Sequence, residues 1–229
     1  MRRKSVNFAK FQYEGMQKKK FHKEETIDET PRREKPKPLP KAWQDDIRNA
    51  VDVMNKGGVI LYPTDTIWGL GCDATNPEAV KKIYEIKRRI DSKALITLVD
   101  SDAKVQFYVR DVPAVAWGIV DLSTKPTTII YDGARNLAPN LIAEDGSVGI
   151  RITSEPFSKQ LCFRMRRAVV STSANISGEP APRTFKEIPQ EIIDAVDYVC
   201  TSRRGEKKPG AASCIIKIGE GAVVKVIRN

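Results

Sequence analysis

At 229 residues the chain can hold one large domain with ample material for a core, and 41% apolar with 30% charged residues fits a soluble globular protein. No apolar run approaches the ~20 residues needed to span a bilayer, and the N-terminus lacks a signal-peptide apolar region, so a cytoplasmic location without a membrane partner is expected. The formal net charge of +10 is lopsided, because residues 1–41 carry thirteen Lys and Arg against six acids and so account for +7 of it.

Residues 1–41 show no sustained apolar periodicity and end near the proline-rich stretch Pro36-Lys37-Pro38-Leu39-Pro40. They read as a basic extension, disordered or loosely packed, ahead of a folded domain over 42–229. That domain opens with a helix over 43–56, in which Trp43, Ile47, Ala50, Val51 and Met54 recur at helical spacing and Gly57-Gly58 follows as a stop. A buried strand over 58–62 then meets Pro63, which cannot continue a central ladder, and a second strand is expected over 68–72. Asn76-Pro77-Glu78 reads as a helix cap with proline at the first position, and Ala79, Val80, Ile83, Tyr84 and Ile86 form the stripe of that helix. Further strands are expected over 95–99, 127–131, 147–152, 168–171, 198–201, 213–218 and 223–227, with helices near 113–122, 155–164 and 189–196. Alternating helices and strands indicate an α/β fold, and the strand-turn-strand around Gly219-Glu220-Gly221 adds an antiparallel pair, so the sheet should be mixed.

The chemical inventory is narrow. The only histidine is His22, in the basic extension, which removes histidine triads, HExxH metal sites and imidazole acid–base chemistry from the domain. Cys72, Cys162, Cys200 and Cys214 are scattered without a CxxC pair, so neither a zinc site nor a disulfide framework is indicated. Chemistry must run on Lys, Arg, Asp, Ser, Thr and Asn, a set suited to handling phosphate by charge and hydrogen bonding.

Three segments carry such residues. Thr64-Asp65-Thr66 follows a strand end, where open α/β sheets place ligands, though Thr/Asp clusters are also ordinary turn chemistry. Lys87-Arg88-Arg89 and Lys93 lie between a helix end and the next strand; they complement the helix dipole or surround a polyphosphate. Ser171-Thr172-Ser173-Ala174-Asn175 follows an apolar strand and can bind phosphate, ribose or carboxylate, or simply turn the chain. Neither GxxxxGK[ST] nor GxGxxG occurs.

Taken in order, these segments resemble the YrdC family of threonylcarbamoyl-adenylate synthases. The resemblance starts near Trp43 and rests on residues 57–74 (GGVILYPTDTIWGLGCDA), Lys87-Arg88-Arg89, Lys93-Ala94-Leu95, Lys125-Pro126-Thr127-Thr128, Val148-Gly149-Ile150-Arg151, Ser173-Ala174-Asn175-Ile176-Ser177-Gly178 and Ser213-Cys214-Ile215-Ile216. Relative to the family, Arg88 replaces a glycine, Ile90 and Ala94 replace prolines, Lys125 replaces a glycine and Cys214 replaces a threonine.

The resemblance implies a single YrdC-like α/β domain whose twisted mixed sheet, flanked by helices, leaves an open cleft. It implies condensation of L-threonine, bicarbonate and ATP to threonylcarbamoyl-AMP and pyrophosphate, with Mg²⁺ accompanying the nucleotide and no metal ligated by the protein. It also implies a supply of the product to the transferase machinery that makes threonylcarbamoyladenosine in tRNA. By the same resemblance Lys87 and Arg89 are the catalytic pair, Thr64, Thr66, Lys93 and Arg151 bind substrate, and Thr128, Ser173, Asn175 and Ser213 bind nucleotide. Asp65 is expected to shape its loop. A non-catalytic module of the same fold that grips tRNA or double-stranded RNA is the alternative. Carbamoyl-phosphate processing within a larger maturation factor ranks third, since no cysteine/histidine finger region accompanies the domain.

Overall fold

The structure, a computed structural model, describes residues 38–89, 95–206, 211–219 and 223–228. The expected extension lies outside the described residues apart from 38–41, as do Lys93 and the turn residues Glu220 and Gly221.

The chain runs through α1 (Lys41–Asn55), β1 (Ile60–Tyr62), β2 (Gly69–Gly71), α2 (Pro77–Ile86), β3 (Ile96–Val99), α3 (Asp102–Tyr108), α4 (Ala114–Leu122) and β4 (Thr127–Tyr131). It continues with β5 (Val148–Ile152), α5 (Pro156–Met165), β6 (Val169–Ser173), α6 (Gln190–Asp194), β7 (Tyr198–Val199), β8 (Cys214–Ile218) and β9 (Val224–Arg228). Local chemistry explains several ends. In α1, Ile47, Ala50 and Met54 are buried on one stripe, and Gly57 stops the helix at φ 78°. Asn76 accepts from the Glu78 and Ala79 amides at the start of α2, and Glu155 accepts from the Phe157 and Ser158 amides at the start of α5. Helix α3 is absent from the sequence reading; its seven residues are too few to display a periodic stripe.

Among the described residues the strands form a nine-stranded sheet in the order β7-β1-β2-β6-β3-β5-β4-β8-β9. It is mixed as expected: β1–β7, β3–β5 and β4–β8 are parallel and the other neighbours antiparallel. Helices α1 and α5 pack on each other, while α5 and α3 pack against β3.

Register decides what the sheet can present. Gly69 pairs with Ser173, Ile96 with Ser171 and with Gly149, and Thr128 with Ile215. Since side chains alternate along each strand, Ser171, Ser173, Ile96 and Arg151 share one face. Glycine lowers the floor of that face. A Cβ on Gly71 would sit 2.7 Å from the Tyr62 ring and 3.1 Å from the Val170 carbonyl oxygen. Tyr62 is fully buried and cannot swing away. Gly71→Ala should therefore cost about 1–3 kcal/mol of unfolding free energy, read from urea denaturation. An unchanged midpoint would mean that the ring moves freely.

Candidate functional site

A cleft of about 220 Å³ opens on this face, bounded by the 63–68 loop between β1 and β2, the end of α2, the end of β6 and the start of β8. Of the residues singled out from sequence, Thr66, Arg89, Arg151, Ser173 and Ser213 line it. Thr64, Lys87, Thr128 and Asn175 lie buried behind the lining. Lys93 is outside the described residues.

The threonine loop is held by its own polar groups. Thr64 Oγ1 donates to the Ile67 carbonyl at 2.6 Å and accepts from the Thr66 amide at 3.0 Å, and the two threonine hydroxyls lie 2.9 Å apart. Thr64 is thus the interior brace, and Thr66 is the threonine that reaches the cleft. Asp65 pairs with Arg151 at 2.9 Å, with the two side chains 12% and 3% exposed. This is the loop-shaping role expected of Asp65. It also means that Arg151 enters the cleft with one side of its guanidinium already neutralised.

Lys87 departs from expectation. Its ammonium was expected to face a triphosphate. Instead it is 2% exposed and donates to the Ser173 carbonyl at 2.6 Å, the Asn175 carbonyl at 2.7 Å and Asn175 Oδ1 at 3.2 Å. As C-cap of α2 it points back into the fold rather than out along the helix axis. Burial, then the neighbouring Arg89, press its pKa down to about 8, against the pull of three oxygen acceptors. The Asn175 amide donates onward to the Ile176 carbonyl at 3.0 Å and the Glu179 carbonyl at 2.7 Å, and Ser173 Oγ donates to Asn175 Oδ1. The Ser-Ala-Asn segment is therefore a loop wrapped around a lysine, of which Ser173 faces the cleft.

On the far wall the hydroxyls of Thr128 and Ser213 lie 3.0 Å apart. Arg228 donates to the Ser213 carbonyl at 3.0 Å and to its hydroxyl at 3.2 Å. Sequence reasoning missed Arg228, because a cation at the end of an edge strand reads as a solvated terminus. Only the β8–β9 pairing, Ile215 opposite Arg228, folds it over Ser213. Among the described residues the lining thus has three guanidiniums, Arg89, Arg151 and Arg228, with serine and threonine hydroxyls and no carboxylate. Such a wall suits a polyanion. Among the described residues, no group of three or more His, Cys, Asp or Glu is placed to hold a metal ion, and no helix is long and apolar enough to cross a membrane.

Removing the Asp65 charge leaves Arg151 buried with a lost partner. Asp65→Asn should lower unfolding free energy by about 3 kcal/mol, measured by chemical denaturation. A loss under about 1 kcal/mol, the range of solvated pairs, would show that water replaces the carboxylate.

Comparison with known proteins supplies the context. The model of the Sua5/YciO/YrdC family, described as "Telomere recombination", matches residues 52–229. The chain is 33% identical over 161 residues to a threonylcarbamoyl-AMP synthase of Pseudomonas paraeruginosa, a match covering 69% of this chain and 86% of that protein. Its fold is similar to that of P. abyssi Sua5 complexed with L-threonine, with TM-score 0.75 and 23% identity over 83% of this chain; the match spans 55% of that longer protein. It is similar also to E. coli YciO, with TM-score 0.71 and 24% identity over 81% of this chain and 89% of that one.

Proposed function

The chain belongs to the Sua5/YciO/YrdC family, and from that premise we propose that it is a threonylcarbamoyl-AMP synthase. It joins L-threonine, bicarbonate and ATP, releases pyrophosphate, and supplies an activated threonylcarbamoyl group for tRNA modification by a downstream transferase. A cytoplasmic location follows from that role. The observation that carries the reading is the cleft wall of Arg89, Arg151 and Arg228 with Ser173 and Ser213, in a chain similar over most of its domain to a protein of that name.

The chemistry needs little acid–base help. The threonine amine adds to bicarbonate with loss of water, giving a carbamate. A carboxylate oxygen of the carbamate attacks the α-phosphorus of ATP, and the bond to the β-phosphate oxygen breaks. Holding two anions in line while charge builds on the leaving pyrophosphate is a task of position and electrostatics. Arg89 and Arg228 meet phosphate oxygens, Thr66 and Arg151 meet the amino acid, and Ser173 and Ser213 orient the nucleotide, with Thr128 fixing Ser213. Lys87 acts one step back, as the residue that holds the Ser173–Asn175 segment in shape. Mg²⁺ is proposed as part of the nucleotide substrate, carried by phosphate oxygens rather than by side chains of this chain.

The direct test measures pyrophosphate and threonylcarbamoyl-AMP from ATP, bicarbonate and threonine. Threonine-dependent product is expected. Its absence, together with RNA binding that weakens steeply with salt, would replace the enzyme by the RNA-binding module. Arg89→Ala should lower kcat/KM at least about 100-fold, on the scale of losing an aligned charged donor at a reacting phosphate.

The Lys87 pKa adds a dissociation between turnover and stability. Because burial depresses it in the folded state, the folded chain binds fewer protons than the unfolded one between about 8 and 10.5. This group's contribution to stability therefore grows as pH rises through that window. Turnover should instead fall above about pH 8, as the ammonium loses a donor and its charge. Turnover and stability declining together would assign the limb to general unfolding.

A further inference from the structure

Outside the cleft, Arg203 grips the start of the threonine loop directly, and its neighbour Arg204 reaches the other end only through a phenylalanine. Arg203 Nη1 donates to the Thr64 carbonyl at 3.1 Å. The same guanidinium pairs with Glu155 at 3.2 Å and with both carboxylate oxygens of Glu206, at 2.6 and 2.9 Å. It also lies over the Trp43 ring at 5.9 Å. Arg204 sits over the Phe185 ring at 4.8 Å, and Phe185 in turn lies 4.8 Å from Trp68, at the other end of the loop. Thr66, between these ends, lines the cleft.

The mounting of this clamp is rigid. Asp46 of α1, 3% exposed, accepts from the Thr201 amide at 2.9 Å and the Ser202 amide at 2.6 Å, which anchors the backbone just before Arg203. Arg204 fastens itself to the Cys200 and Val199 carbonyls at 2.7 and 2.8 Å. Glu155 serves twice, as the cap of α5 and as the anion for Arg203. Arg203 itself stands at φ 64°, in the left-handed region where glycine is favoured. A side chain kept at a position that disfavours it implies that its contacts outweigh the strain.

We propose that Arg203 is a positioning residue that sets the affinity for the amino-acid substrate, by pinning the Thr64 carbonyl so that Thr66 faces the cleft; this rests on the threonine-dependent reaction proposed above. Arg151 holds the same loop by the Asp65 side chain, so the loop is fixed from two sides by two arginines with different tasks. Arg151 reaches the cleft, while Arg203 is a structural clamp with 16% of its side chain exposed.

The choice of variant makes the test sharp. Arg203→Gly removes the clamp and relieves the left-handed strain, so a role confined to the turn predicts a neutral or more stable protein with unchanged kinetics. The clamp predicts a KM for threonine raised about tenfold, with KM for ATP and kcat within about twofold. Arg203→Lys, which can still reach one carbonyl but cannot fork to two carboxylates, should recover part of the loss. Amide hydrogen exchange of the full chain gives a second readout, in which Asp65 and Thr66 should exchange faster in the glycine variant than in the wild type. An unchanged threonine KM with unchanged exchange would overturn the proposal, and so would equal rises in both KM values. Were the wild type to release no threonine-dependent pyrophosphate, the functional reading would fall, and exchange at Asp65 and Thr66 would still decide the clamp.

Discussion

The site depends on one buried ammonium. Lys87 ends α2, and its Nζ is enclosed by the carbonyls of Ser173 and Asn175 and the Asn175 side chain. Removing an ammonium from water costs several kcal/mol, and three oxygen acceptors return only part of it, as the depressed pKa of Lys87 records. Its effect lies in shape more than in net stability. The Ser173 and Asn175 carbonyls converge on one donor where the chain turns after β6, with the Ser173 side chain in the cleft.

From that point the rest of the cleft is organised by pairing charges away from the reacting centre. Asp65 is committed to Arg151, and Glu155 and Glu206 to Arg203. The described lining keeps guanidiniums and hydroxyls and excludes carboxylates. A surface of this kind repels no phosphate and holds its donors in place before the substrate arrives, which is the condition for electrostatic catalysis without an imidazole. The glycines of β2 contribute by leaving room, since Gly71 is overlain by the Tyr62 ring and a Cβ on Gly69 would sit 3.1 Å from the Thr172 carbonyl oxygen.

Much of the architecture was legible in advance because its signals are local. The Asn76-Pro77 cap, the α1 stripe and the Thr127–Tyr131 strand were readable from spacing alone, and the structure places each where expected. Boundaries drifted where no local chemistry marks them: β6 runs on to Ser173 because antiparallel pairing with Gly69 carries it past Ser171. The site was half legible. Thr66, Arg89, Arg151, Ser173 and Ser213 do converge on one cleft, whereas Lys87 turned inward and Arg228 was overlooked. Both failures have the same origin. A cation's sequence neighbours say that it is charged, and only its distant neighbours say what it faces.

By itself the sequence determined the α/β class, the absence of a domain histidine, the phosphate-handling inventory and the family resemblance, since these follow from composition, periodicity and short spaced motifs. Tertiary structure alone decided which polar groups are available. Lys87 is spent on a loop 86 to 88 residues away, Asp65 is spent on an arginine 86 residues away, and Arg203 reaches the threonine loop from 139 residues downstream. Such assignments rest on sheet register and on the burial of partners remote in the chain, and no window of sequence contains both halves of any one of them.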